Sequence, residues 1–162
     1  MSKTLVGRLG IVAACFLFVN LIAVQRPAVS TAQDTIKIGM IDPFSGPFEY
    51  AGRLELAGLQ FAVDEQNAKG GLLGKKIEIL TADSELKPDV AVRKAKKFIL
   101  EEKVNFLSHN SGSHISVALN QVSAKYKTIY INSGGMSDFV QGKEVSPYSF
   151  RLCQNAHMFV AA

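Results

Sequence analysis

The sequence predicts an α/β fold, an open, doubly wound parallel sheet with helices on both faces. Two observations predict it. From residue 35 onward, short β-branched and apolar runs alternate with segments whose apolar residues recur at helical spacing, and Gly, Pro, Ser, Asn or Asp closes each run. Strands that alternate with helices of this length pair in parallel, because each crossover helix returns the chain to the same end of the sheet.

Residues 1–32 stand apart from that pattern. Lys3 and Arg8 precede an apolar run from Leu9 to Val24, and Pro27, Ser30 and Ala32 then supply a small-residue cleavage site. This reads as a secretory signal peptide cut after Ala32, with the periplasm as destination. The apolar run is short for a membrane span and contains Asn20. Val12, Ala13, Ala14 and Cys15 also resemble a lipoprotein box that would anchor a lipid on Cys15. That reading ranks second, because Phe16 to Val19 continue the apolar run where a polar tether would begin.

Removing the leader changes what the charge implies. The whole chain is +4, but Lys3, Arg8 and Arg26 belong to the leader and no acidic residue precedes Asp34. Fifteen basic residues then face fourteen acidic ones, so the basic balance is no sign of nucleic-acid binding. Cys153 is the one cysteine left, which excludes an internal disulfide. His109, His114 and His157 have no metal-ligand spacing, and no cofactor fingerprint follows any strand.

The elements follow in order. TIKIGMI (35–41) has the composition of a buried strand, and DPFSGP ends it. Leu54, Ala57, Gly58, Phe61 and Ala62 fall on one side of a first helix, which Gly70 and Gly71 terminate. KIEILTA (76–82) is the second strand; Pro88 opens a second helix with an apolar face of Ala91, Ala95, Phe98 and Ile99. VNFLS (104–108) is the third strand, before a helix showing Ile115, Ala118, Leu119, Val122 and Tyr126. TIYI (128–131) is the fourth strand and YSFRL (148–152) the fifth.

Right-handed crossovers bring every strand-to-helix loop to one edge of the sheet, where ligands of such folds bind. DPFSGPFEYAG, DSELKP, HNSGS and NSGGMSD therefore converge. A Ser113–His114 nucleophile and base is disfavoured by geometry, since adjacent residues opening a helix point about 100° apart, and an enzyme ranks third. The Gly-x-Ser-x-Gly elbow is also absent, because Ser111 and Ile115 flank Ser113 at the glycine positions. Binding fits better. Ser111 and Ser113 lie where the third helix begins, so that one can cap it while the other points into the cleft, and the helix N-terminus favours a carboxylate. The same serines would also serve as plain caps and turns. Gly134 and Gly135 permit close backbone approach, Ser137 offers a hydroxyl, and Tyr50 offers an aromatic face at the cleft mouth.

IKIGMIDPFSGPFEYAGRLELAGLQFAVDEQNAKGGLLGKKIEIL, with INSGGMSD and SPYSFR further on, closely resembles the opening of type I periplasmic solute-binding proteins of the branched-chain amino acid (Leu/Ile/Val-binding) family. The resemblance implies that Tyr50 is the ligand-contacting aromatic, that a carboxylate-binding serine lies within Ser111, Gly112 and Ser113, and that Gly134 or Gly135 with Ser137 completes the site. Met136 stands where a small residue is expected and would narrow or reshape the pocket. The resemblance also implies a substrate-binding component of an ABC-type importer for amino acids or related small carboxylates and amides. It would use no cofactor or metal and have no enzymatic activity, and a membrane permease would be its partner. Members have two lobes; residues 33–155 would be the first and 156–162 the truncated start of the second. Such a lobe would lack the segments that return from the second, and exposed apolar surface is expected. The alternative is an extracellular ligand-binding input domain of a sensor or receptor, which a downstream signalling domain would reveal.

Overall fold

The computed structural model describes residues 35–142 and 145–161, so the signal-peptide and Cys15 readings lie outside it. Among the described residues, no helix is long and apolar enough to cross a membrane. The chain alternates β1 (Ile36–Asp42), α1 (Glu49–Ala68), β2 (Ile77–Asp83), α2 (Pro88–Leu100), β3 (Phe106–His109), α3 (Ser113–Tyr126), β4 (Ile129–Asn132) and β5 (Ser149–Arg151). A short α4 (Ala156–Val160) follows. The strands form one sheet in the order β2-β1-β3-β4-β5, and every neighbouring pair is parallel. The α/β class expected from the alternation is thus the observed one.

Strand register sorts the side chains into two faces. Gly39, Ile41, Leu80, Ala82, Leu107 and Tyr130 share one face. There α2 and α3 press Ala91, Ala95, Phe98, Ile115, Leu119 and Val122 onto the strands and form the core. Gly39 makes that closeness possible, since a Cβ at this position would lie 2.6 Å from the Phe98 ring. Ile38, Met40, Ile79, Phe106, Ser108, Ile129, Ile131 and Phe150 share the opposite face.

Helix α1 covers the opposite face, but not with the side the sequence suggests. Leu54, Ala57, Gly58, Phe61 and Ala62 are all exposed, with Leu54 at 60% and Phe61 at 74%. The inward side is Gly52, Leu56, Leu59 and Val63, of which Gly52 and Val63 are buried. Two apolar stripes at helical spacing exist on this helix, and periodicity cannot say which one meets the sheet. Local anchors decide it. Gly52 sits so close to the Pro43 carbonyl that a side chain there would collide with it. At the other end Asn67 brackets Ile77, donating from Nδ2 to its carbonyl at 2.9 Å and accepting its N–H on Oδ1 at 2.8 Å. That pair of bonds fastens the end of α1 to the start of β2.

Candidate functional site

The sheet order reverses direction between β1 and β3: from β1 the chain goes to β2 on one side, then crosses to β3 on the other. In open α/β sheets the ligand crevice lies at the carboxyl edge beside such a reversal. The loops after β1, β3 and β4 meet at this edge.

Asp42 ends β1 and organises the junction. It is fully buried, and its carboxylate accepts the N–H of Asn110 at 3.0 Å and the N–H of Ser111 at 3.0 Å. His109, also fully buried, places Nδ1 2.6 Å from the Ile41 carbonyl and 3.3 Å from the Asp42 carboxylate. A buried carboxylate needs such donors, and here they come from the neighbouring strand's loop, which they hold against β1. On the far side of β1, Asp83 accepts the N–H of Phe44 at 3.0 Å and that of Glu85 at 2.8 Å. Burial pushes the Asp83 carboxyl up, but hydrogen bonds from Ser45, Glu85 and Phe44, with Lys94 nearby, outweigh it and hold the group below its ordinary range.

The third loop is shaped by Asn132. Its Oδ1 accepts the N–H of Gly135 at 2.7 Å and of Gly134 at 3.3 Å, while Nδ2 donates to the Gly135 carbonyl at 2.9 Å. The close approach that Gly134 and Gly135 permit is to the chain itself: a Cβ on Gly134 would strike Asn110, and one on Gly135 would strike Ser116. Asn110 in turn donates from Nδ2 to Glu55 of α1 at 2.9 Å.

The serines divide their duties differently from expectation. Neither Ser111 nor Ser113 caps α3; the cap position is Gly112, at φ 106°, and no side chain bonds the first turn there. A side chain at that φ would be strained, so the glycine is required by the turn itself. Ser111 is buried and spends its N–H on Asp42. Ser113 is half-buried, and its Oγ accepts the Ser137 N–H at 3.1 Å, bridging the loops after β3 and β4. The Ser137 hydroxyl oxygen accepts the Phe139 N–H at 3.4 Å. Both serines use their oxygens as acceptors in these bonds, which leaves their O–H groups able to donate outward. His114 turns away, with Nε2 3.2 Å from the Leu86 carbonyl. Tyr50, in the first turn of α1, is 78% exposed. A groove of about 560 Å³ on the outer side of α2, lined by Asp89, Val92, Arg93 and Leu100 among others, includes none of these loop residues.

The electrostatics single out α3. Helices α1 and α2 carry Glu49 and Asp89 in their first turns, whereas α3 has no acidic residue there. Its N-terminal N–H groups and positive dipole end are not offset by a carboxylate of its own helix. The structure therefore gathers Ser111, Gly112, Ser113, Gly134, Gly135 and Ser137 where the loops after β3 and β4 adjoin, while Tyr50 stands exposed in the first turn of α1. Sequence reasoning missed Asp42, Asn110, Asn132 and Glu55. A polar residue ending an apolar strand, as in MID and INS, is the signal that marks Asp42 and Asn132.

Comparison with known proteins agrees with this architecture. Leu/Ile/Val-binding protein homolog 7 of Brucella abortus is 34% identical over 117 residues, covering 72% of this chain and 29% of the relative. The branched-chain amino acid transporter substrate-binding protein of Streptococcus pneumoniae, solved with isoleucine, superposes with a TM-score of 0.69 at 28% identity. The match covers 75% of this chain and 34% of that one. A solute-binding protein of an ABC transporter from R. palustris, solved with benzoate, gives 0.69 at 25% identity over 75% and 33% of the two chains. The chain thus spans about a third of the length of these proteins. The family described as periplasmic binding protein matches residues 35–162, and the chain belongs to that family.

Proposed function

We propose that this lobe is the carboxylate-holding half of the substrate-binding component of an ABC-type importer for amino acids or related small carboxylates and amides. A membrane permease is its downstream partner, and residues 1–32 direct it to the periplasm. The observation that carries the reading is the N-terminus of α3, which has no acidic residue in its first turn and has Ser113 held in place by the Ser137 N–H. In this site the ligand carboxylate accepts from the first-turn N–H groups and from the hydroxyls of Ser113 and Ser137, and Tyr50 lies against its side chain. Gly112, Gly134 and Gly135 shape the loops, and Ser111 contributes through its backbone. Isoleucine and benzoate, bound by the two solved relatives, share a carboxylate and an apolar body, the chemistry this arrangement suits.

Such a site holds its ligand without reacting with it. His114 is turned toward Leu86 and the Ser113 oxygen toward Ser137, so the two do not form a nucleophile and base. A single lobe also leaves the ligand wet on one side. A few exposed neutral hydrogen bonds, at roughly 0.5–1.5 kcal/mol each, barely exceed the cost of association, so affinity near millimolar is expected. Titration with isoleucine and with benzoate, followed by amide NMR, tests this. Shifts confined to Ser113, His114 and Ser137, lost in Ser113→Ala, support the site; shifts elsewhere, or none at tens of millimolar, sink it.

A further inference from the structure

Given the carboxylate site proposed above, on which this rests, the geometry points to His109 as its positioning residue: an imidazolium beside Asp42 whose second ring proton fixes the Gly112 turn. The ring is fully buried, and both of its nitrogens face oxygen. Nδ1 lies 2.6 Å from the Ile41 carbonyl, and Nε2 lies 3.3 Å from the Gly112 carbonyl. A carbonyl oxygen only accepts, so each bond needs a proton on the ring nitrogen, and a neutral imidazole has one to give. Turning the ring over does not help. It would set a ring carbon 2.6 Å from the Ile41 oxygen, well inside the roughly 3.3 Å of the closest C–H···O contacts. Charge agrees with the hydrogen bonds. Asp42 is fully buried with its carboxylate 3.3 Å from Nδ1, and an imidazolium there neutralises a charge that is costly to bury unpaired.

The pair reaches the site through the backbone. Asp42 accepts the N–H groups of Asn110 and Ser111 while His109 donates to the Gly112 carbonyl, so three consecutive residues of the loop are held from inside. The same Gly112 carbonyl accepts the N–H groups of Ile115 and Ser116, which makes it the first link of α3. Remove the second ring proton, and the Nε2 lone pair faces the Gly112 oxygen. Two acceptors at that distance repel, and the turn must shift, taking Ser113 and the first-turn N–H groups with it. The site therefore holds a carboxylate best while His109 is charged, and loses affinity as pH rises. Among its neighbours, Tyr130 on β4 feels the Asp42 charge, and Cys153 after β5 adjoins Tyr130. Burial above all pushes the Tyr130 hydroxyl up, against a hydrogen bond from Ser116, so it stays protonated and does not mimic the ring. Helices α2 and α3 present apolar Ala91, Ile115 and Leu119 to this face.

Nitrogen NMR on the chain as cells process it, labelled at histidine, is the test. His114 and His157 are exposed, so ring N–H signals that resist exchange with water belong to His109, and they should persist in His114→Gln/His157→Gln. Without ligand at neutral pH, both ring nitrogens should carry protons. As pH is raised from about 6 until the second proton is lost, the amides of Asn110 to Ser113 should move with the same midpoint. Isoleucine and benzoate should each bind about fivefold more weakly above that midpoint than below it, and by reciprocity each should hold the ring proton to higher pH. A histidine that only fills space would not respond to ligand in this way. Asp42→Asn, which removes the counter-charge, should leave a single ring proton at neutral pH. The wild-type measurements stand without it if that variant does not fold. One ring proton in the wild-type chain overturns the proposal, as do loop amides indifferent to the ring, binding that ignores its charge, or both protons retained in folded Asp42→Asn. If ring and amides move together but neither ligand shifts them, the positioning of the loop stands and the carboxylate reading falls.

Discussion

The two faces of the sheet meet different fates. On one, α2 and α3 bury Ile41, Ala91, Ala95, Leu107, Ile115, Leu119 and Tyr130 completely. On the other, α1 buries Gly52 and Val63 and turns Leu54 and Phe61 to solvent. Both faces are built from β-branched and apolar residues of the same strands, so composition does not set them apart. Among the described residues, what differs is the number of helices packed on each face. A strand side chain is worth its transfer free energy only where a second layer covers it, so stability is concentrated on the α2–α3 side.

The largest expected effect tests that concentration directly. Leu119→Ala removes a fully buried side chain from the α3 contact and should cost about 2–5 kcal/mol, by lost transfer and by the cavity it leaves. Leu54→Ala, the same chemistry on the outer side of α1, should stay within about 0.5 kcal/mol in dilute solution. Urea unfolding at low micromolar concentration measures both. Equal costs would erase the distinction between the faces.

Gly39→Ala comes next. The added methyl would sit 2.6 Å from the Phe98 ring and 3.3 Å from Leu107, both in the closed core, so the crowding cannot be relieved into solvent. A cost of about 1–3 kcal/mol is expected from overpacking. Thermal unfolding compared with Gly39→Ala/Phe98→Leu sharpens the point: the smaller side chain at 98 should recover part of the loss.

At the edge between the faces, pH is the lever. The Asp83 carboxyl is held below its ordinary value of 3.8 in the folded chain, so the folded state binds its proton less readily than the unfolded one. Its contribution is fully present above the unfolded value and is lost as pH falls through the folded one. Asp83→Asn should therefore lower stability at neutral pH and flatten the dependence below pH 3.8, because the group that loses its partners on protonation is gone. Chemical unfolding at several acidic pH values decides it; curves that stay parallel for the two proteins would refute the linkage.

Much of this architecture was legible in the sequence. The strand and helix order and the buried faces of α2 and α3 follow from patterns in which only one stripe is apolar, as with Ala91, Ala95 and Phe98. Reading α1 failed because Gly52, Leu56, Leu59 and Val63 compete with Leu54, Ala57, Phe61 and Ala62 at the same period. The choice was made by Pro43 and Ile77, contacts outside the helix. At the carboxyl edge the serines and glycines were visible as a cluster. Their division of labour was not, since it depends on the buried Asp42 and on Asn132, which act across loops distant in sequence.

The smallest effect has the opposite sign and returns to the open face. Gly58 lies within α1 and a Cβ added there meets nothing within 4 Å, in contrast to Gly39. Glycine inside a helix costs about 0.8–1 kcal/mol relative to alanine, because its unfolded chain has more conformations to lose. Gly58→Ala should therefore stabilise the isolated chain by up to about 1 kcal/mol, and urea unfolding at low micromolar concentration reads this directly. Destabilisation instead would show that α1 packs with its Leu54 side inward after all, and the contrast between the two faces would fall.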